Sequence, residues 1–501
     1  MNAAVLCRRL GTAALVVALA AGGAVVGRAA EGDPSLRLFV NKTERRVVRR
    51  HSRRPVFLNL GLYLTAVGGP FELKVRRSSY RAPITVDQVV HSPGGDVNRS
   101  LPADILEGWE GLKNFIKVEV TNAAGRVVAR RSADVCLNSF ERERVNDEGP
   151  INPTYPVFCF ANPFTKGMVW GIDEGWASNP FDFFGGPRMR VPDGTYNVTY
   201  RIAARYQELF GVSPGDGRTT VALTVKTRKR ACTRCGRRGR QRLAEQFQQP
   251  VRSQTVPEDG DPDPSILPDL RALPSWGIGV SSRRGRDFLD FGSTEWVAGA
   301  SPLVVEGFRR GDSNVMDAFQ YFYQDGEPVA RAPVGELEFD RRRGHHHWHF
   351  KQFAGYRLLD SDKTVQVRSR KESFCLASTD AIDLSLAHAE WTPEQLGLET
   401  ACGFSDSIWV RETLPVGWGD TYFQFGPGQS FNITNLPNGT YFIEVTANPT
   451  GQLHERNADN NTRLRRVILG GRRGARRVRV PAWQGINTEG GGGEIFTLAR
   501  L

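Results

Sequence analysis

A chain of 501 residues, 40% of them hydrophobic and with 53 glycines and 29 prolines, has the length for two domains and the composition of a turn-rich globular protein. After residue 30 no second long apolar run occurs, as expected for a soluble, loop-rich chain. The net charge of +12 sits in arginine clusters at 45–54, 228–240 and 472–479, and in an exported chain it points to anionic surfaces rather than genomic nucleic acid.

The first thirty residues read as an export signal: Arg8-Arg9, an Ala/Gly/Val-rich run from Leu10 to Gly27, then Arg28-Ala29-Ala30. The protein is therefore expected outside the cytoplasm, secreted or at the cell surface, with an uncleaved N-terminal membrane anchor as the alternative. From residue 31, short runs rich in Val, Tyr, Phe and Thr alternate in polarity between Gly, Pro, Asn and Asp turns. Examples are Phe115-Ile-Lys-Val-Glu-Val-Thr, Thr195-Tyr-Asn-Val-Thr-Tyr-Arg-Ile and Thr440-Tyr-Phe-Ile-Glu-Val-Thr. This pattern predicts an all-β chain of two β-sandwich domains. The clearest local exception is a short helix near Thr392 to Leu396, opened by Thr392-Pro393-Glu394.

A faint internal repeat relates the halves. Val135-Cys136-Leu137, Cys159, Gly175-Trp176 and Val191-Pro-Asp-Gly-Thr-Tyr196 recur in order as Phe374-Cys375-Leu376, Cys402, Gly417-Trp418 and Leu436-Pro-Asn-Gly-Thr-Tyr441. A duplicated sandwich accounts for this, the first copy (31–226) being a degenerate relative of the second (265–501). The repeat pairs Cys136 with Cys159 and Cys375 with Cys402, as befits an exported chain. Residues 227–264 turn basic and then Gln-, Pro- and Asp-rich, which marks a linker. Its Cys232 and Cys235 are expected to close a local disulfide loop, against half a zinc site or a redox pair.

Only the second copy carries a concentrated chemical signal. Four of the eight histidines lie in Gly344-His345-His346-His347-Trp348-His349-Phe350, where the first copy reads Leu106-Glu-Gly-Trp-Glu-Gly-Leu. On an extended strand His345, His347 and His349 share one face, and His346 and Trp348 turn away. On a helix they would diverge. Three imidazoles suit copper, zinc, iron or nickel and leave open positions for oxygen, water or substrate, the mark of a catalytic site.

Further motifs accompany the cluster: Leu267-Pro-Asp-Leu270, Tyr356-Arg-Leu-Leu-Asp360, Lys371-Glu-Ser-Phe-Cys-Leu376, Gly417-Trp-Gly-Asp-Thr-Tyr422, and Glu455 followed by Asn460-Asn461. In this order, over residues 265–470, they resemble the lysyl oxidase family. The resemblance implies copper on His345, His347 and His349, and a lysine tyrosylquinone cofactor made from Lys371 and Tyr422. It also implies a calcium site formed by Asp269, the Leu270 carbonyl, Glu455, Asn457, Asn460 and Asn461. Three departures stand out: the histidine that follows the cluster in animal members is replaced near Gly355, Asn457 stands where an aspartate is expected, and of the cysteine bridges only Cys375–Cys402 is kept.

The implied reaction is oxidation of a primary amine, such as a peptidyl lysine, to an aldehyde, with dioxygen reduced to peroxide and ammonia released. Such chemistry needs an electrophilic carbonyl that no standard side chain supplies. Asp420, two residues before Tyr422, is a candidate base or a plain turn residue. The expected partners are thus an amine or lysine-containing protein, dioxygen, and an anionic cell-envelope polymer on the arginines. Two other readings remain open at this point: a zinc metallo-hydrolase on the same histidines, and a non-catalytic sandwich that binds envelope polymer.

Overall fold

Alternating apolar and polar residues produce strands throughout, and their pairing falls into two sets, one on each side of the expected linker. The structure is a computed structural model that describes residues 29–30, 32–159, 162–181, 186–228, 257–341, 346–369, 373–393, 402–424, 426–486 and 488–489. The expected export signal, most of the linker with Cys232 and Cys235, residues His345 and Lys371, and most of the helix expected near Thr392 lie outside the described residues.

Three sheets recur in both sets, strand for strand over four strands each. In the N-terminal half one sheet runs Ser35–Val40, Leu62–Val67, Trp176–Ser178, Arg142–Arg144; in the C-terminal half the same places are taken by Pro268–Ala272, Arg286–Gly299, Trp418–Tyr422 and Asp380–Ala381. A second sheet runs Gly167–Ile172, Phe71–Arg76, Thr85–Val90, Val97–Leu101, matched by Trp409–Leu414, Leu303–Arg309, Val315–Gln324 and Glu327–Asp340. A third runs Val127–Val135, Leu112–Asn122, Gly194–Ile202, Arg218–Thr227, matched by Val365–Arg368, Ala354–Leu359, Gly439–Ala447 and Thr462–Arg472.

The repeated sequence phrases have the same physical job in both halves. Tyr196 donates its hydroxyl to the Pro192 carbonyl at 3.0 Å, and Tyr441 does the same to Pro437 at 3.0 Å, so each ring locks the turn that starts its strand. Gly175 and Gly417 both have positive φ, 75° and 91°, and a Cβ at either would strike backbone, at 1.9 Å from Glu148 O and 2.9 Å from Asp383 O. Cys136 is bonded to Cys159 and Cys375 to Cys402, with Cα separations of 5.9 and 6.0 Å.

Among the differences between the copies, three bear on the frame of the site. The third sheet is closed by Glu44–Arg49, parallel to its neighbour, in the first half and by the antiparallel Ala475–Arg479 in the second. An α-helix at Ala204–Leu209, not anticipated from sequence, joins two strands where the second half has the 3-10 turn Ala458–Asn460. Its six residues are too few to show a helical period. Finally, the second sheet of the C-terminal half continues past Glu327–Asp340 into two extra strands, His347–Lys351 and Ser373–Phe374.

The halves are packed together. One apolar core runs through both, and Phe158 meets Trp418 edge-on at 5.6 Å while Gly167 forms a parallel bridge with Asp383.

Candidate active site

The first extra strand carries the histidines. Trp348 anchors it: the side chain is fully buried, its indole N–H donates to Phe404 O at 2.9 Å, and its ring meets Phe339 at 5.6 Å. With Trp348 and Phe350 turned into the core, His347 and His349 share the other face, ring centroids 4.7 Å apart and planes at 62°. That spacing lets two imidazoles reach one ion with metal–nitrogen bonds of ~2 Å. The Asp340 carboxylate lies 3.6 Å from Nδ1 of the buried His349, close enough to act on the ring by charge though not by a hydrogen bond.

Regular strand begins only at His347. His346 is exposed with φ 46°, in the left-handed region, so the unbroken extension expected from His345 to His349 does not hold. The i, i+2 alternation is observed for His347 and His349 alone. A non-glycine residue held there is strained, a feature that clusters at functional sites.

The second extra strand links the histidines to Tyr422. Phe350 pairs with Phe374, and Lys351 with Ser373, so Ser373–Phe374 enters the sheet beside the histidine strand. The Phe374 ring meets that of Tyr422 at 4.8 Å, and the Tyr422 hydroxyl donates to Cys375 O at 2.9 Å. Tyr422 ends the strand Trp418–Tyr422, in which residues 418, 420 and 422 share a face. Cross-strand pairing sets Ser293 opposite Tyr422 and Glu295 opposite Asp420. Tyr356 reaches the same place, its phenol oxygen accepting from the Ser293 hydroxyl at 2.7 Å.

Three acidic or phenolic groups therefore act on Tyr422, namely Asp420, Glu412 and Tyr356, and Glu295 acts in turn on Tyr356. Loss of water, then the negative charges of Asp420 and Glu412, hold the Tyr422 phenol well above its ordinary pKa, and Asp420 hydrogen-bonds it. Burial, then Glu295, does the same to Tyr356. Glu412 is fully buried and pushed up chiefly by desolvation; it accepts from the backbone N–H of Leu376, at 3.1 Å, and from that of Phe350. One carboxylate thus clamps the histidine strand to the segment after Lys371. The sulfurs of Cys375 and Cys402 also lie close to Glu412, but bonded to each other they are not thiolate ligands.

Sequence reading had singled out Asp420 and Tyr422 but missed Glu412, Glu295 and Asp340. A strand such as Trp409-Val-Arg-Glu-Thr-Leu414 shows two adjacent charged residues, one of which alternation assigns to solvent; yet Arg411 and Glu412 are both fully buried. Arg411 is matched there by Glu306, at 2.7 Å.

The other residue set implied for a cation also converges. Leu270 N donates to Glu455 Oε2 at 3.3 Å, Asn461 Nδ2 to Glu455 Oε1 at 2.7 Å and Asn460 Nδ2 to Asp269 Oδ1 at 2.8 Å. The start and end of the C-terminal half thus meet across 191 positions. The side-chain oxygens of Asn460 and Asn461 are buried without a hydrogen-bond donor, and burial raises the Glu455 pKa. Carboxylates beside orphaned amide oxygens fit a hard cation. Asn457 stands apart: it is exposed, and its oxygen accepts from Asp459 N at 3.0 Å to cap the 3-10 turn.

The described residues thus form an all-β domain in which two imidazoles share one strand face and a phenol is held close to buried carboxylates. Residues 323–475, within the C-terminal half, match the family model of lysyl oxidase, in agreement with the resemblance that the sequence motifs carry. No curated protein matches the chain.

Proposed function

We propose that this protein is a copper- and quinone-dependent oxidase of primary amines, peptidyl lysine or similar, acting outside the cytoplasm. The observation that carries the reading is Tyr422: a half-buried phenol, hydrogen-bonded to Asp420, whose ring meets Phe374 on the strand paired with the histidine strand. His345, His347 and His349 would hold copper, and Lys371 and Tyr422 would form the quinone. When bound, these groups supply the electrophilic carbonyl and the electron route to dioxygen.

The chain's own residues supply the rest. Asp420 sits within a hydrogen bond of the phenol and would serve, as the carboxylate, as the base that removes a proton from the substrate carbon. Glu412 holds the two strands in register through Phe350 and Leu376, and Asp340 faces His349. The walls of Phe374, Tyr356 and Phe291 exclude water from the inner side of Tyr422, while its partial exposure leaves an approach for an amine.

Calcium would join Asp269, the Leu270 carbonyl, Glu455, Asn460 and Asn461. An anionic envelope polymer has a fitting surface in the exposed arginines of the Thr462–Arg472 and Ala475–Arg479 hairpin, Arg466, Arg472, Arg477 and Arg479. The deciding experiment is copper loading of the purified full chain. A quinone stain, and peroxide released with a primary amine, are expected, both lost in Tyr422→Phe. Peroxide release that survives Tyr422→Phe would overturn the proposal, and zinc-dependent hydrolysis without colour would favour the metallo-hydrolase.

A further inference from the structure

Behind the strand that bears Tyr422, on the face away from Asp420, lies a buried polar network that the chemistry above does not use. Thr294 and Thr421 are opposite one another on neighbouring strands, hydroxyls 2.7 Å apart. Asn162, from the N-terminal half and only 1% exposed, donates to Thr294 Oγ1 at 2.8 Å. Its side chain also hydrogen-bonds Asp380, a buried carboxylate that takes further bonds from Thr421 and Thr379. Thr379 Oγ1 accepts from the backbone N–H of Thr421 at 2.7 Å, and Asp380 is the register partner of Gly419.

Asn162 is itself held at both ends. Its Oδ1 accepts from Phe164 N at 3.0 Å and its backbone N–H donates to Thr165 Oγ1 at 2.9 Å. The same segment then runs beside the strand pair: Thr165 Oγ1 donates to Ala381 O at 2.6 Å, Lys166 N to Ile382 O at 2.6 Å, and Leu384 N to Gly167 O at 2.9 Å. A side chain with both amide hydrogens engaged in a dry site has a single conformation, and neighbours on a strand point to opposite faces. Whatever fixes Thr421 therefore fixes the aim of Asp420 and Tyr422.

We propose that Asn162 is a positioning residue for the active site, through which the N-terminal half holds the back of the tyrosine strand so that Tyr422 meets the segment around Lys371. The N-terminal half, which has no counterpart of the histidine strand among its described residues, thus serves the chemistry as a template. This rests on the amine oxidase reading for its catalytic consequence, but not for its structural one.

The test compares the full-length chain with Asn162→Ala in two measurements. In hydrogen exchange of the metal-free proteins, amides of Trp418–Tyr422 should exchange about tenfold faster or more in the variant, while those of Val315–Gln324 keep their rate. In copper-loaded protein, the mass-spectrometric yield of the peptide joining the Lys371 and Tyr422 segments should fall by about 10²-fold, the scale of a misplacement near 1 Å, with copper stoichiometry retained. Unchanged local exchange, or an undiminished cross-link, overturns the proposal. If the wild-type chain forms no cross-link, the quinone reading is what fails, and exchange alone decides the role of Asn162. Should Asn162→Ala not fold, Asn162→Gln, which keeps the amide but moves it by one methylene, is measured by the same criteria.

Discussion

Chelating calcium should destabilise the C-terminal half by roughly 3 kcal/mol, because an ion at about 100-fold above its Kd contributes ~2.7 kcal/mol to the folded state. The structure gives a similar figure independently. Asn460 and Asn461 each bury an amide oxygen without a donor, and leaving two such groups unsatisfied costs roughly 2–6 kcal/mol together. For a domain of this size that lowers Tm by roughly 5–10 °C. The pH dependence has a definite sign. Burial raises the Glu455 pKa in the ion-free fold, so the folded state holds its proton more tightly than the unfolded state. Stability from this group is then greatest at low pH and lost as pH rises through the folded pKa. In chelator Tm should accordingly climb as the buffer is taken from neutral toward the carboxylate range, whereas calcium should flatten or reverse that trend. Scanning calorimetry with calcium and with a hard-cation chelator, at four or five pH values, measures both. Superimposable melting curves across that series would refute the argument and leave Glu455 and its asparagines as a polar turn.

Lys371→Arg, like Tyr422→Phe, should remove the cross-linked peptide and peroxide release while leaving copper stoichiometry intact, as read by mass spectrometry and metal analysis. Asp420→Asn should slow turnover by about 10²–10⁴-fold if Asp420 is the base, and in metal-free protein it should lower the Tyr422 phenol pKa, since the carboxylate raises it; a phenol titration unchanged in the variant would contradict the contact. Trp348→Ala removes a fully buried ring and should cost about 3–5 kcal/mol in guanidinium unfolding, together with copper binding; retention of both would show that the histidine strand is not anchored there. Cys402→Ser opens a 27-residue loop and should cost about 3.5 kcal/mol by loop entropy, measured as a shift in denaturation midpoint under non-reducing conditions.

Much of the architecture was legible because duplication doubles the signal. Gly-Trp, Cys and Pro-x-Gly-Thr-Tyr each recur where a close backbone approach, a bridge or a locked turn demands them, so the pairing of Cys136 with Cys159 could be argued from its better-marked sibling. His347 and His349 were legible because their spacing matches the pleat. His346 was not: nothing local to a run of four histidines says that one of them turns left-handed. Glu412 and Glu295 were hidden for a different reason. Period-two reading assigns carboxylates to solvent, and only the assembled interior, where Tyr356, Tyr422 and backbone N–H groups gather about them, makes their burial tolerable. Asn162 is the extreme case, since its role depends on Thr294 and Asp380, residues 132 and 218 positions away.

The histidine strand is also a lid on a sheet edge. In the N-terminal half the matching sheet stops at Val97–Leu101, a short strand whose Asn98 and Arg99 discourage a neighbour from docking. In the C-terminal half the fourteen-residue strand Glu327–Asp340 is covered by His347–Lys351 at its last four residues, Leu337–Asp340, which would otherwise lengthen the open ladder. Damage that peels the histidines away, such as oxidation at a copper centre, would therefore do more than silence the site. It would uncover a template for strand addition, so an inactivated molecule should be lost to self-association, with its sandwich still folded.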